Sequence, residues 1–189
     1  MWTPRRARIV SILILWFLAV LAALPARAEA AGTRIRAESP YLRLVLASGM
    51  ERSPTFREIV NQLEGSGLIV EVRCSRFKAW ALAGRTALLS AQPAVRYVLV
   101  EVSCPVTSLP ALCTIGHELR HALEIASARS VVDSESLALL YTQIGFPTQG
   151  KNSYGQFETA DALEAGARIH HELLHQEDFT PRLAQAFTK

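Results

Sequence analysis

The stretch Thr114-Ile-Gly-His-Glu-Leu-Arg-His-Ala-Leu-Glu-Ile-Ala126 decides how the rest of the chain is interpreted. It contains His117, Glu118 and His121 in the order H-E-x-x-H. Two histidines four residues apart on a helix project from the same face on successive turns, so both imidazoles can hold one zinc ion. The glutamate beside the first histidine can then act as a general base toward water. The stretch therefore predicts two metal ligands and a base on one helix.

The helical setting of this motif favours the metal-binding interpretation. Apolar periodicity runs from about Pro110 to Arg129, so the motif lies well inside a helix. Small and apolar residues flank it, which allows close packing beneath a cleft. The competing interpretation is a pair of surface histidines on an ordinary amphipathic helix, and the helical context that the motif requires disfavours it. We expect Arg120, at a variable position, to point to solvent and to pair with Glu124 one turn later.

A catalytic zinc ion needs a third protein ligand, with water in its fourth position. A histidine six residues after His121 would extend the motif, but that position holds Ser127. A carboxylate close to or beyond the motif is therefore expected to complete the set. The candidates are Glu124, Asp133, Glu135 and Glu158.

Periodicity favours Glu158 among these carboxylates. It continues the inward stripe of the last predicted helix, where a charge is costly unless it meets a cation or a donor; the stripe consists of Ala162, Ala165, Ile169 and Leu173. The competing interpretation of Glu158 is a first-turn residue favoured by the helix dipole. Glu135 faces away from the apolar stripe of its own helix, and Asp133 is better explained as an N-cap. Glu124 shares the histidine face, so we expect it to orient a histidine or to pair with Arg120.

Strand and helix patterns divide the chain into two halves. Helix signals cover residues 53–64, 110–129, 133–144 and 157–176, strand signals cover 68–73 and 94–102, residues 79–90 are ambiguous, and 41–47 suit either element. This order predicts an α+β fold, in which a helix and a short β-sheet precede a three-helix C-terminal half that carries the motif. The strand near Arg96 to Val102 is expected to present its edge to an extended peptide.

The first residues have the pattern of a secretory signal peptide. Arg5, Arg6 and Arg8 precede an unbroken apolar run over residues 9–24, and small-residue cleavage sites follow near Ala28. We therefore predict a signal peptide over residues 1–28, a flexible leader over 29–48 and a folded domain over 49–189. The protein would be secreted or periplasmic, with no membrane attachment after cleavage. The alternative is an uncleaved N-terminal anchor.

Removal of the signal peptide changes the charge of the chain. The full sequence has 20 Lys and Arg against 17 Asp and Glu, and cleavage after Ala28 removes four arginines, which leaves 16 basic residues. The mature chain is then close to neutral and has no cluster of Lys and Arg. These features argue against nucleic acid as a partner.

Three cysteines remain after cleavage. Cys74 and Cys104 each follow a strand-like run, so they are the expected pair for a disulfide bond in an oxidising compartment. Cys113 lies one helical turn before His117 on the same face. A buried packing role is expected for it, although a free thiol there could also approach the metal.

Residues 117–122, His-Glu-Leu-Arg-His-Ala, resemble the active-site helix of zincin metallopeptidases. Residues 157–162, Phe-Glu-Thr-Ala-Asp-Ala, resemble the third-ligand helix of the gluzincin branch, where a ligand glutamate is followed closely by Ala and Asp. Most of residues 50–175 is also similar to small secreted bacterial proteins of this type. The shared segments are Ser53-Pro-Thr-Phe-Arg57, Gly116 to Glu124, Tyr141-x-x-Ile-Gly145 and Phe157-Glu-Thr. The resemblance implies a zincin-like metallopeptidase domain over residues 49–189.

These observations lead to one principal expectation about function. The chain is expected to be a zinc-dependent metallopeptidase that hydrolyses a peptide or protein, with Zn²⁺ held by His117, His121 and Glu158 and with Glu118 as general base. The alternatives are a catalytically inactive zincin-like binding or structural module, and a plain α+β domain with a chance motif. Spacing does not single out an oxyanion-stabilising residue among Tyr141, Tyr154, His170, His171 and His175.

Overall fold

The structure is a computed structural model that describes residues 33–77, 83–92, 94–104, 108–148 and 157–177. The predicted signal peptide over residues 1–28 and the candidate Tyr154 lie outside these ranges. The described residues from Arg34 onward belong to one compact unit. None of the helices in these ranges is both long and apolar enough to span a membrane.

A four-stranded mixed sheet forms one layer of this unit. Its strands are β1 (Ile35–Ala37), β2 (Leu68–Ser75), β3 (Gly84–Ala91) and β4 (Arg96–Ser103), in the order β1-β2-β4-β3. β1, β2 and β4 run parallel, and β3 pairs with β4 in the antiparallel direction. Alternate β-branched residues of β2 and β4 are fully buried, namely Val70, Val72, Val98, Val100 and Val102. This alternation buries one face of the sheet beneath the helices.

Five helices and a small hairpin complete the described part of the chain. The helices are α1 (Pro40–Arg52), α2 (Pro54–Glu64), α3 (Ser108–Ser127), α4 (Ser134–Ile144) and α5 (Ala160–Glu177). The hairpin joins β5 (Phe146–Pro147) to β6 (Phe157–Glu158) in the antiparallel direction. The predicted α+β class and the three-helix C-terminal half are therefore confirmed.

Helix α3 lies at the centre of the unit and carries the H-E-x-x-H motif. It contacts β3 and β4 of the sheet as well as α1, α2 and α5. Leu112, Ile115 and Leu119 are fully buried, as expected for a helix that is covered on several sides. A Cβ atom at Gly116 would lie 2.2 Å from Cδ1 of Ile169, so the glycine allows α5 to approach α3 closely.

Arg96 at the start of β4 closes the C-terminal end of α3. Its Nη1 atom donates to the carbonyl oxygens of Ile125, Ala128 and Val131 at 2.9, 2.8 and 3.2 Å, and Nη2 donates to that of Ala126 at 3.0 Å. The last carbonyl groups of a helix have no intrahelical partners, and a cation is favourable at this end of the helix dipole. One side chain therefore joins the sheet to the end of the motif helix.

The prediction of a flexible leader over residues 29–48 is wrong from Ile35 onward. Residues 35–37 form β1, which pairs with β2, and helix α1 begins at Pro40 with Ser39 as its N-cap. Leu42 and Val45 of α1 are buried in the core. A three-residue strand is too short to show periodicity, and its pairing with a strand thirty residues later is what stabilises it.

Two further predictions about the strands change with the structure. The ambiguous residues 79–90 contain β3, and the described residues 84–91 form an edge of the sheet. β4 was expected to offer its edge to a peptide, but this prediction is wrong because β4 lies between β2 and β3. The edge strand beside the motif helix is therefore β3.

The disulfide bond between Cys74 and Cys104 is present, with Cα atoms 5.4 Å apart, as predicted. It joins the ends of the paired strands β2 and β4, because Cys74 lies opposite Val102 in the parallel register. Cys113 is free and half-buried, and burial raises the pKa of its thiol. Cys113 is not in the group of potential metal ligands that the described residues contain.

Candidate metal centre

Three of the predicted ligands converge on one point. Nε2 of His117 lies 3.2 Å from Oε2 of Glu158, and Nε2 of His121 lies 3.2 Å from Oε1 of the same carboxylate. One ligand atom from each of the three residues lies within 4.8 Å of the others. The two imidazole rings are one helical turn apart and meet edge to face, with centroids 4.9 Å apart. The regular geometry of α3 thus aims both histidines at a carboxylate about forty residues later in the chain.

Glu158 reaches this position from a strand and not from the first turn of a helix. It belongs to β6, where it pairs with Phe146 of β5. The predicted helix start at Phe157 is wrong because α5 begins at Ala160. Thr159 acts as the N-cap: its Oγ1 accepts a hydrogen bond from the backbone N–H of Ala162 at 3.1 Å. The side chain of Glu158 points inward as predicted. Its backbone, however, is extended and not helical as was predicted.

Glu124 and Thr159 form a second layer behind His121. Oε2 of Glu124 lies 2.9 Å from Nδ1 of His121, and Oε1 of Glu124 accepts a hydrogen bond from Oγ1 of Thr159 at 2.7 Å. All three residues are buried. A carboxylate can only accept, so it places the proton on Nδ1 of His121 and directs Nε2 toward Glu158. Glu124 was expected either to orient a histidine or to pair with Arg120. In the structure it bonds His121, which is the first of these roles.

The contacts of two residues next to this network, Arg120 and Thr159, were not predicted from the sequence. Arg120 forms an ion pair with Asp161 of α5, so its predicted pairing with Glu124 is wrong. Thr159 was not identified as a functional candidate. A threonine directly before an acidic first turn is a recognisable N-cap signal, and it would have placed the helix start correctly.

The charges of the cluster depend strongly on one another. Burial alone would lower the pKa of His121, but its hydrogen bonds to Glu124 and Glu158 raise it to about 9. Burial opposes ionisation of Glu158, yet hydrogen bonds from His117 and His121 hold the pKa of its carboxyl well below its usual range. The protein therefore holds an ionised carboxylate between two imidazoles, which is an arrangement suited to a cation.

Glu118 lies beneath the edge strand β3. Its side chain is 5% exposed, and Oε2 accepts a hydrogen bond from Oγ1 of Thr86 at 2.7 Å. A Cβ atom at Gly84 would lie 2.7 Å from Oε1 of Glu118, so only glycine permits this close approach of the strand. Burial raises the pKa of Glu118, although the bond from Thr86 opposes this effect. The contact of Thr86 with Glu118 was not predictable from the sequence, because Thr86 lies 32 residues upstream of Glu118 in the ambiguous segment.

The remaining carboxylate candidates lie outside the cluster. Asp133 is exposed and caps α4 in a reciprocal capping box with Ser136. Glu135 is exposed in the first turn of the same helix. Neither belongs to the group of potential ligands, which consists of His117, His121 and Glu158 in the described residues.

Tyr141 packs against the back of the site. Its ring meets that of His121 edge to face at 5.6 Å, and its hydroxyl donates to the carbonyl oxygen of His121 at 3.4 Å. Burial raises the pKa of this hydroxyl, and the nearby charge of Glu124 adds to the effect. Tyr141 thus supports the helix position that carries His121. Three other oxyanion candidates, His170, His171 and His175, are exposed on α5.

The donor set fits a zinc ion by its chemistry. Two imidazole nitrogens and one carboxylate oxygen form one of the ligand sets of catalytic zinc, which leaves a fourth position for water. The buried carboxylate behind His121 is the usual partner of a zinc-ligating histidine. No family model, no curated protein and no solved structure matches this chain.

Proposed function

We propose that this protein is a secreted or periplasmic zinc-dependent metallopeptidase with a zincin-like fold of the gluzincin type. The observation that supports the proposal is the convergence of His117, His121 and Glu158, whose potential ligand atoms lie within 4.8 Å of one another. Separate elements supply these residues, α3 for the histidines and β6 for the glutamate. A chance H-E-x-x-H sequence would have no reason to meet a carboxylate beside a buried supporting network.

The roles of the residues follow from their positions. A zinc ion held by the three ligands would supply Lewis-acid chemistry, lowering the pKa of water and polarising a carbonyl group. Glu118 would take a proton from the attacking water and pass it to the nitrogen of the leaving amine. The water oxygen would add to the carbonyl carbon as it loses this proton. The C–N bond would break as the amine nitrogen accepts it. The raised pKa of Glu118 suits a group that must both accept and release a proton.

An extended peptide is the substrate that the edge strand favours. β3 has β4 on one side, and Thr86 in the strand contacts Glu118 directly. A peptide added along the free side of β3 would make backbone hydrogen bonds to the strand and pass close to the base. The peptide was expected from the sequence to add to the edge of β4. In the proposed complex it adds to the edge of β3 instead. Partners of the protein are then peptides or unfolded segments of proteins.

Replacement of Glu118 tests the proposal. Glu118→Gln should abolish hydrolysis of an unfolded protein such as reduced casein, while metal analysis still finds zinc bound. Glu135→Gln, which changes an exposed carboxylate outside the cluster, serves as the matched control and should retain full activity. Hydrolysis by Glu118→Gln at the rate of the parent protein would contradict the role of this residue.

The alternative is a catalytically inactive zincin-like module that binds zinc without hydrolysing peptides. The observation that favours it is the burial of Glu118, a residue that is 5% exposed and whose carboxylate accepts a hydrogen bond from Thr86 beneath β3. In that case the zinc-loaded parent protein would bind extended peptides but release no new amino termini. Purified protein that takes up no zinc would exclude the peptidase and would leave only a zincin-like scaffold without metal.

A further inference from the structure

A second pair of histidines lies on the solvent-facing side of α5. His171 and His175 are one helical turn apart and both are exposed. Their Nε2 atoms are 2.8 Å apart, and their ring centroids are separated by 4.1 Å. The two Nε2 atoms therefore face each other from adjacent turns. Only one of them can carry a hydrogen toward the other in the neutral pair, so at least one lone pair is directed into the gap.

The separation of these nitrogens indicates the class of cation that fits. Adjacent ligands on a square with metal–nitrogen bonds of about 2.0 Å lie about 2.8 Å apart, whereas tetrahedral zinc separates its nitrogens by about 3.3 Å. The distance of 2.8 Å is that of an N–H···N hydrogen bond in the metal-free pair, and it is also short enough for both nitrogens to become adjacent ligands of one square-planar cation. We propose that His171 and His175 form a second metal site that binds tetragonal divalent cations, namely Cu²⁺ and Ni²⁺.

This site is separate from the centre formed by His117, His121 and Glu158. Glu158 precedes α5, and His171 follows the first residue of that helix by eleven positions, which corresponds to roughly 16 Å along the axis. The network behind His121 does not extend to this part of α5. Metal binding at one site can therefore be removed without changing the ligands of the other.

Neighbouring side chains of α5 leave the gap open to solvent. Glu172 turns away from the pair and accepts hydrogen bonds from the hydroxyls of Ser53 and Thr55. Arg168, one turn earlier, forms an ion pair with Glu164. Among the described residues of the helix, the two imidazoles thus stand without a carboxylate between them. Water or a group of another molecule would occupy the remaining coordination positions of the cation.

Calorimetric titration of Cu²⁺ into the untagged full-length chain, first saturated with zinc, tests the proposal. The parent protein should bind a further equivalent of Cu²⁺. His171→Ala and His175→Ala should each weaken this binding about 100-fold, because the loss of one ligand removes the chelate advantage. His170→Ala is the matched control: its side chain is also exposed on α5 but points about 100° away from His171, and the binding should be unchanged.

Three results would overturn the proposal. Unaltered Cu²⁺ binding by both His171→Ala and His175→Ala would exclude the pair, and an equal loss in His170→Ala would indicate diffuse surface binding. Zn²⁺ that binds the pair as tightly as Cu²⁺ would exclude the tetragonal assignment. Glu158→Ala keeps this experiment distinct from the proposed peptidase, because it should abolish zinc binding at the first centre and leave the additional Cu²⁺ equivalent in place.

Discussion

Glu124→Gln is the substitution that tests most directly how the proposed metal centre is supported. The side chain is 7% exposed, and its two oxygens are committed to Nδ1 of His121 at 2.9 Å and to Oγ1 of Thr159 at 2.7 Å. Glutamine has nearly the same shape but no charge, and one end of its amide can only donate. If the amide oxygen keeps its bond to His121, the NH₂ group faces Thr159, whose hydroxyl hydrogen then loses its acceptor.

The expected losses of folding free energy and of zinc affinity follow from these two changes, the lost hydrogen bond and the lost charge. The loss of one buried hydrogen bond costs about 1–3 kcal/mol of folding free energy. Replacement of a carboxylate that orients a metal-ligating histidine typically weakens metal binding by about 10- to 100-fold, which corresponds to about 1.4–2.7 kcal/mol. We therefore expect Glu124→Gln to remain folded and to bind zinc 10- to 100-fold more weakly than the parent protein.

Competition with a zinc chelator of known affinity measures this change, and urea denaturation of the metal-free protein measures the folding term. Glu135→Gln is the control, because it removes an exposed carboxylate from α4 that contributes no ligand to the cluster. The reasoning fails if Glu124→Gln binds zinc within a factor of about two of the parent, well below the expected range. It also fails if Glu135→Gln weakens zinc binding to the same degree.

The remaining predictions concern pH and the end of the motif helix. Because the pKa of His121 in the metal-free protein is about 9, protons compete with zinc below that pH, and zinc affinity should fall by up to about tenfold per unit as the pH decreases from 9. A zinc affinity, corrected for the chelator, that stays constant over this range would contradict the prediction. Arg96→Met removes the donors to four carbonyl groups at the end of α3, so we expect the free energy of unfolding in urea to fall by about 2–4 kcal/mol. The exposed Arg129→Met should change it by less than about 0.5 kcal/mol, and equal losses in the two variants would refute the capping role of Arg96.

The burial of Glu118 connects the fold to the proposed chemistry. The edge strand β3 approaches α3 so closely that Gly84 has no space for a side chain, and Thr86 holds the carboxylate by its hydroxyl. Burial beneath the strand raises the pKa of Glu118, although the hydrogen bond from Thr86 opposes this effect, and the close approach brings the proposed peptide-binding edge next to the proposed base. A peptide aligned on β3 would therefore lie next to the proposed general base.

Features that depend on neighbours in the chain were predictable from the sequence. The four-residue spacing of His117 and His121 places both on one face of α3 because the helix repeats every 3.6 residues. Asp133 was predicted as an N-cap, and its side chain accepts a hydrogen bond from the backbone of the first turn of α4 as expected. Strand signals over residues 68–73 and 94–102 were also predicted, and the two cysteines that follow these runs, Cys74 and Cys104, form the expected disulfide bond.

Features that depend on pairing between distant segments required the tertiary structure. β1 and β6 contain three and two residues, too few for any periodicity, and each exists because a partner strand supplies its hydrogen bonds. The order of the sheet made β3 the edge strand, and that placed Thr86 on Glu118. The H-E-x-x-H stretch by itself predicted two candidate ligands on one helix face and a candidate base beside them. Only the fold shows that the carboxylate of Glu158 meets both histidines, because its position comes from a strand pairing and a helix cap whose energies lie in contacts between distant parts of the chain.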